Sequence, residues 1–308
     1  MKKEIIFRMK SPYRDEFRIH GYRFGEGEKT VAIVGAMRGD EVQQQFICSQ
    51  IVKNMIVLEK QGKITPGQEI LVIPSANHFS MNIDKRFWAM DNTDINRMFP
   101  GYDKGETTQR IAAAIFENVR GYRFGIQLAS FYLPGRFVPH VSIMETGFQN
   151  VKLARKFGLP YVLLRKPKSY DTAVLNYNWQ IFETDAFSLY SGETNIIDKD
   201  SAKVTWLAVL RFLNNVGAIH FSMHEGFISH VMKDKDLVTI VSDEAGILFQ
   251  LRDTGEGIKK GDLLAKILDP FTGETRSEIS SPTDGTIFFS LHSPLVHQDT
   301  IMFKISKI

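Results

Sequence analysis

Cysteine is nearly absent from this 308-residue sequence, which contains only Cys48. A single cysteine cannot form an internal disulfide, so the sequence is not that of a small disulfide-stapled secreted domain. Cys48 lies among Phe46, Ile47 and Ile51 in a segment whose apolar residues have helical spacing. We therefore predict that it is a packed structural thiol and not a nucleophile.

The sequence also lacks an excess of one charge sign and a long apolar run. Its 38 basic and 35 acidic residues give a net charge of +3, and no long single-sign run occurs. This balance does not favour nucleic acid or an anionic membrane as a partner. The apolar residues near the start are interrupted by Arg8, so no signal peptide or membrane span is predicted there. The expected location is the cytoplasm.

A strand, a tight turn and a helix start are predicted over residues 31–45, and we take this stretch as the centre of the chain. Residues 31–34 are apolar, residues 35–39 form the turn, and Asp40 and Glu41 open the helix. In an open α/β sheet, ligands bind at the carboxyl ends of strands. Arg38, Asp40 and Glu41 are therefore predicted to lie at the mouth of a crevice.

The rest of the chain divides into two parts by its pattern. Strand and helix signals over residues 42–74 predict a β-α-β unit with parallel strands. From residue 227, short strands alternate with Gly-rich turns, as in a small all-β domain. We predict an α/β domain over residues 1–226 and a β domain over residues 227–308.

Two motifs resemble those of a known family. Residues 35–41 read GAMRGDE and resemble a Gly-x-x-His-Gly-x-Glu turn, and residues 94–101 read DINRMFPG and resemble Asp-Leu-Asn-Arg-x-Phe-Pro-Gly. Both motifs are typical of the succinylglutamate desuccinylase/aspartoacylase family, part of the zinc carboxypeptidase superfamily. The resemblance implies a zinc-carboxypeptidase-like mixed sheet flanked by helices, followed by a barrel-sandwich β domain.

The resemblance also implies roles for individual residues. Asn96 and Arg97 would hold the carboxylate of the substrate, for which a guanidinium fork is suited. Glu41 would be a zinc ligand. Gln127 stands where the family has an acid that orients its third zinc ligand, and Glu183 stands where the family has its general-base glutamate.

The two histidine ligands of the family are replaced here, by Arg38 and Ala129. Arg38 has no lone pair and carries a positive charge where the cation would lie, and Ala129 cannot bind a metal. Glu41 alone does not hold zinc, so no metal site is predicted. Arg38 would instead form an ion pair with Glu41 and, together with Arg97, bind an acidic ligand.

Three functions stay open at this point. The first is a catalytically impaired binding subunit for an acyl-amino acid or peptide-like ligand, paired with an active paralogue or with itself. The second is an active amide hydrolase, either metal-free or with zinc at a relocated site such as Glu41 with His140. The third is a structural partner protein with a vestigial pocket.

Overall fold

The computed structural model describes residues 1–12 and 15–307 as an α/β protein. The first part of the chain contains nine strands and six helices among the described residues. The strands are β1 (Lys2–Met9), β2 (Phe17–Phe24), β3 (Gly27–Ala36), β4 (Gly67–Ser75), β5 (Phe124–Leu128), β6 (Gly135–Met144), β7 (Tyr161–Arg165), β8 (Asp185–Gly192) and β9 (His230–Lys233). The helices are α1 (Val42–Lys60), α2 (His78–Met81), α3 (Thr107–Val119), α4 (Val151–Ala154), α5 (Leu175–Ile181) and α6 (Lys199–Asn215).

The remaining strands all lie in the last quarter of the chain. They are β10 (Leu237–Val241), β11 (Gly246–Gln250), β12 (Gly257–Ile258), β13 (Leu263–Leu268), β14 (Thr275–Ser280), β15 (Gly285–Leu291), β16 (Leu295–Val296) and β17 (Ile301–Ser306). Ile308, the last residue of the predicted β domain, lies outside the described residues, as do Tyr13 and Arg14. None of the described helices is long and apolar enough to cross a membrane.

A large mixed sheet organises the molecule. Its main path runs β1-β2-β4-β3-β5-β8-β6-β15-β17-β10, and β7 pairs with β6 and β9. The neighbours β4, β3, β5 and β8 are parallel, as the β-α-β pattern predicts. The strand β6 runs antiparallel to β8. The predicted mixed sheet flanked by helices is confirmed.

Alternating residues of the central strands fill two separate cores. Val31 and Ile33 pack on one face with the buried sides of α1 and α6, whereas Ala32 and Val34 pack on the other face with α3 and α5. This is the period of two that a doubly covered strand imposes. Cys48 is fully buried in the first of these cores, and burial raises the pKa of its thiol far above the usual range. The structure thus places Cys48 as a packed thiol.

The C-terminal strands form two groups. A four-stranded antiparallel sheet has the order β14-β13-β11-β16, which agrees with the predicted all-β character. The strand β15 instead extends the main sheet, since Phe289 is the register partner of Phe137 on β6. A third core of mainly C-terminal residues also includes Leu163 of β7. Residues 1–226 and 227–308 therefore share one sheet, and the predicted boundary between them stays a prediction.

Two local expectations differ from the structure. Helical spacing of apolar residues predicts a helix over residues 201–216, but α6 begins two residues earlier, at Lys199, because the side chain of Asp198 accepts hydrogen bonds from the backbone of Asp200 and Ser201 and so caps the helix. The resemblance that implies a general-base role for Glu183 also implies a strand end over residues 179–184, but this segment contains the end of α5 and a turn before β8.

Candidate functional site

Turns and strand ends from the first part of the chain meet around one cavity of about 460 Å³. Arg38 follows β3, Ala129 follows β5, and Asn96 and Arg97 lie in a short 3-10 helix, Ile95–Arg97. All four residues line the cavity, and Glu41 forms an ion pair with Arg38. The structure therefore brings together four residues of the two motifs and Ala129.

Arg38 forms a buried ion cluster with two carboxylates. Its Nη1 donates to Oε1 of Glu41 at 2.9 Å, while Nε and Nη2 donate to Oδ2 of Asp94 at 3.1 and 2.8 Å. The Arg38 side chain is 11% exposed, that of Glu41 1% and that of Asp94 8%. Burial lowers the pKa of Arg38, but the two carboxylates outweigh it and raise that pKa above the ordinary value. Arg38 is thus a permanent cation.

The remaining acceptor capacity of Glu41 is also used. Its Oε2 accepts from the backbone nitrogens of Met37 at 2.7 Å and Arg38 at 3.1 Å, and its Oε1 accepts from the Ser130 hydroxyl at 2.5 Å. The Glu41 carboxylate is thus held by four donors at a buried position. Asp94 is not predicted from the sequence as a partner of Arg38, although it begins the second motif. Its Oδ1 also accepts a hydrogen bond from the backbone nitrogen of Asn96 at 3.0 Å and so caps the short 3-10 helix.

Asn96 and Arg97 differ in their exposure. The Oδ1 of Asn96 accepts from Nε2 of Gln127 at 2.9 Å, and both side chains are buried. Arg97 is 48% exposed, lies 3.5 Å from Asp94 and faces the ring of Tyr170 at 5.1 Å. Gln127 therefore positions Asn96, whereas Arg97 is the cation of this group that a ligand can reach.

Side chains of β6 and β8 form another wall of the cavity. His140 stacks on Tyr190 with ring centroids 5.2 Å apart, and its Nδ1 lies 2.9 Å from the carbonyl oxygen of Val138. Burial lowers the pKa of His140 to about 4. The Val138 carbonyl oxygen can only accept a hydrogen bond, so Nδ1 carries the proton and the neutral imidazole keeps its lone pair on Nε2. His140 is a fixed, neutral histidine.

Basic residues from three further segments also line the cavity. Arg165 of β7 donates two hydrogen bonds to Asp171, at 2.6 and 3.0 Å, and is neutralised by it. Lys168 is exposed. Lys304 of β17 lies over the ring of Phe131 at 5.4 Å, and burial lowers its pKa. The C-terminal strands therefore contribute to the same cavity as the motif residues.

Glu183 lies elsewhere. It is exposed, has a φ of 67°, and precedes β8, next to Lys29 and Arg123 at the starts of β3 and β5. The five residues of β5 alone separate the two edges of the sheet by about 13 Å, because a strand rises about 3.3 Å per residue. This position corrects the prediction that Glu183 stands opposite Arg38 as a general base.

The residues around the cavity do not fit a zinc ion. Catalytic zinc needs three protein ligands with lone pairs and an open position. No group of three or more His, Cys, Asp or Glu side chains in residues 1–12 and 15–307 is arranged to hold a metal. The guanidinium of Arg38 lies between the two carboxylates, and Ala129 contributes only a carbonyl that accepts from Gln44 at 3.2 Å.

Comparison with known proteins identifies the family of this chain. Residues 27–216 match the family model of the succinylglutamate desuccinylase/aspartoacylase catalytic domain. The chain belongs to this family. The match covers more than half of the chain and includes both motif turns. The family is therefore shown, while the changes at positions 38 and 129 are features of this member's sequence.

Individual relatives of the succinylglutamate desuccinylase/aspartoacylase family are distant. An N-alpha-acetyl-L-2,4-diaminobutyric acid deacetylase from Halomonas elongata is 24% identical over 85% of this chain and 77% of its own length. The crystal structure of a succinylglutamate desuccinylase from Silicibacter sp. TM1040 has a TM-score of 0.82 at 19% identity, covering 99% of this chain and 94% of its own. The ectoine utilization protein EutE (DoeB) of Ruegeria pomeroyi, in its product-bound structure, has a TM-score of 0.78 at 17% identity, covering 95% and 90%. These structures share the fold.

Proposed function

We propose that this family member binds a small carboxylate ligand of the acyl-amino acid class and does not hydrolyse it. One observation carries the proposal: a buried arginine, with all three guanidinium nitrogens donating to carboxylates, occupies the position where the family has a zinc ligand. Arg38 also lines the cavity, which is large enough for a small ligand. The chain can therefore bind a ligand without the metal that hydrolysis needs.

Hydrolysis of an amide needs an activated water and a polarised carbonyl, and a catalytic metal supplies both. Arg38 stays protonated and cannot accept a proton from water. Glu41 already accepts from Arg38, Ser130 and two backbone N–H groups, so it is a poor general base. His140 is neutral, yet its pKa of about 4 makes it a weak base near neutral pH.

Binding of a carboxylate requires only suitable hydrogen-bond donors, and the cavity contains them. Arg97 is half exposed beside Asn96 and can donate two parallel hydrogen bonds to a carboxylate. Arg38 uses three of the five N–H groups of a guanidinium, so two are left for a ligand. Membership of a deacylase family and the deacetylase relative favour an N-acylated amino acid. The predicted partners, an active paralogue or a second copy, stay predictions.

The alternative is a hydrolase with a relocated metal, and His140 on the cavity wall is the residue that favours it. Glu41, the expected second ligand, is enclosed by its four donors. A metal would have to displace Arg38 from Glu41, which leaves a buried cation beside it. The first proposal avoids this cost.

Elemental analysis and calorimetry together test the proposal. The natural chain should remain metal-free after zinc loading, whereas Arg38→His with Ala129→His should take up about one zinc per chain. A panel of N-acetyl amino acids should include ligands that bind saturably and are recovered intact. Arg97→Ala should weaken their binding by about 10- to 100-fold, the loss of a charge-assisted hydrogen bond.

Three results would contradict the proposal. Stoichiometric metal in the natural chain would favour the relocated site, and release of acetate from any bound ligand would identify a hydrolase. Absence of saturable binding across the panel would indicate a vestigial pocket. Arg276→Ala, which removes an exposed cation far along the C-terminal sheet, is the matched control for Arg97→Ala.

A further inference from the structure

Asn176 is a buried amide on the cavity wall that has no partner in the described part of the chain. It lies in α5, which packs on β5 and β8, and is 1% exposed. Neither its Nδ2 nor its Oδ1 makes a hydrogen bond to another described residue. Asn178 on the same helix donates to two backbone carbonyls, so the position on the helix does not by itself leave an amide without partners. Asn176 therefore offers one donor group and one acceptor to an occupant of the cavity.

Two serines extend this polar wall. Ser142 of β6 and Ser188 of β8 are register partners, so their side chains project from the same face of the sheet. Both are buried and both line the cavity with Asn176. Their hydroxyls can each donate or accept. Together with Asn176 they form a wall that is polar and carries no formal charge, which we call the amide subsite.

The cations that line the cavity interact with groups outside the amide subsite. Arg165 is paired with Asp171 through two hydrogen bonds. Lys168 is exposed, and Lys304 lies over the ring of Phe131. The reachable arginine of the motif, Arg97, belongs to the cluster with Asp94. One cavity thus combines a cationic region and an uncharged hydrogen-bonding region.

A primary carboxamide complements Asn176 better than a carboxylate does. Its carbonyl accepts from Nδ2 while its N–H donates to Oδ1, which satisfies both atoms at once. A carboxylate could accept from Nδ2, but it would place a second acceptor against Oδ1. A site with buried polar groups discriminates strongly against a ligand that leaves one of them unpaired.

We propose that the amide subsite selects ligands with one carboxylate and an uncharged carboxamide at the other end, such as N-acylated asparagine or glutamine. The inference rests on the proposed function, in which Arg97 binds the carboxylate. It adds the chemical group at the other end of the ligand, a carboxamide, which Asn176, Ser142 and Ser188 recognise. Ligands with a second carboxylate are disfavoured.

Two pairs of probes test the selectivity by calorimetry on the full chain. In at least one pair the amide should bind at least about tenfold more tightly than the acid. The pairs are N-acetyl-L-glutamine with N-acetyl-L-glutamate, and N-acetyl-L-asparagine with N-acetyl-L-aspartate. Asn176→Leu keeps the side-chain volume and removes both polar atoms, so the ratio within the preferred pair should fall towards one. Asn176→Asp keeps an acceptor for the ligand N–H and repels a carboxylate, so the ratio should widen.

Asn118→Leu is the matched control, because it removes an amide on α3 that does not line the cavity. It should leave the ratio unchanged, and thermal unfolding checks that every variant is folded. Tighter binding of the acid in both pairs would overturn the inference, as would a ratio that the Asn176 variants do not change. Failure of all four probes to bind would overturn the proposed function and this inference together.

Discussion

Polar groups at the two ends of the cavity differ in whether the protein supplies their hydrogen-bond partners. At the Arg38 end, every nitrogen of the guanidinium and both oxygens of Glu41 have protein partners. At the Asn176 end, a buried amide has none among the described residues. Arg38 and Glu41, at the family's metal-ligand positions, are thus held by protein partners, whereas the amide at the end that the motifs do not cover has its hydrogen-bonding groups available to a ligand.

This difference implies that one end mainly contributes to the stability of the fold and the other mainly to ligand recognition. A buried cation between two carboxylates is a structural requirement once it exists, because removing one member leaves a charge without compensation. An unpartnered amide is a cost to the empty protein that a suitable ligand removes. Substitution of Arg38 should therefore mainly change the free energy of unfolding, whereas substitution of Asn176 should mainly change which ligand binds.

The largest effect is expected for Arg38→Met. It leaves Glu41 and Asp94 as buried carboxylates without their cation, which should lower the free energy of unfolding by about 3–5 kcal/mol. Urea denaturation measures this value. Arg276→Met removes a partly exposed ion pair with Asp269 and should cost less than about 1 kcal/mol. Equal costs for the two variants would contradict the view that the Arg38 cluster is structural.

A somewhat smaller effect is expected from pH. Burial lowers the pKa of His140 to about 4, whereas an unfolded histidine has a pKa of about 6.5, so the unfolded chain binds the proton first. The contribution of His140 to stability is therefore complete above pH 6.5 and is lost as the pH falls towards 4, by about 3 kcal/mol.

Denaturation at several pH values measures this loss. His140→Gln should flatten the dependence between pH 6.5 and 4, and the exposed His297→Gln serves as the control. The same slope in the wild type and in His140→Gln would assign the pH dependence to other groups.

The smallest effect is expected for Glu183→Gln. Glu183 is exposed at the far edge of the sheet, so the variant should change the free energy of unfolding by less than about 0.5 kcal/mol. Ligand affinity should stay within about twofold. A larger loss of affinity, measured by calorimetry with the same probes, would return Glu183 to the site and contradict the geometry.

The sequence allows the residues at the motif end of the cavity to be placed near one another, for a physical reason. Arg38 and Ala129 follow adjacent parallel strands, whose carboxyl ends meet at one edge of the sheet. The glutamate partner of Arg38 is three residues away in the same turn. Both relationships are local or follow from the sheet topology, so they can be read from spacing.

The rest of the site depends on contacts that spacing does not encode. The second carboxylate partner of Arg38, Asp94, is 56 residues away. Asn176 lies on a seven-residue helix, and Trp179, Ile181 and Phe182 near its end can be read equally well as a strand, which moved Glu183 to the wrong edge. The one available signal was alternation: His140 and Ser142, like Ser188 and Tyr190, are two residues apart, so each strand turns one face to the cavity.

The pairing of β15 with the start of β6 limits how this protein can be recombined. A C-terminal segment grafted from a relative would have to reproduce the register of Phe289 with Phe137 and continue the sheet. It would also replace Phe288 and Lys304, which line the cavity. Exchange of residues 227–308 would thus also change the lining of the cavity, so we expect substitutions in the two parts of the chain to depend on each other.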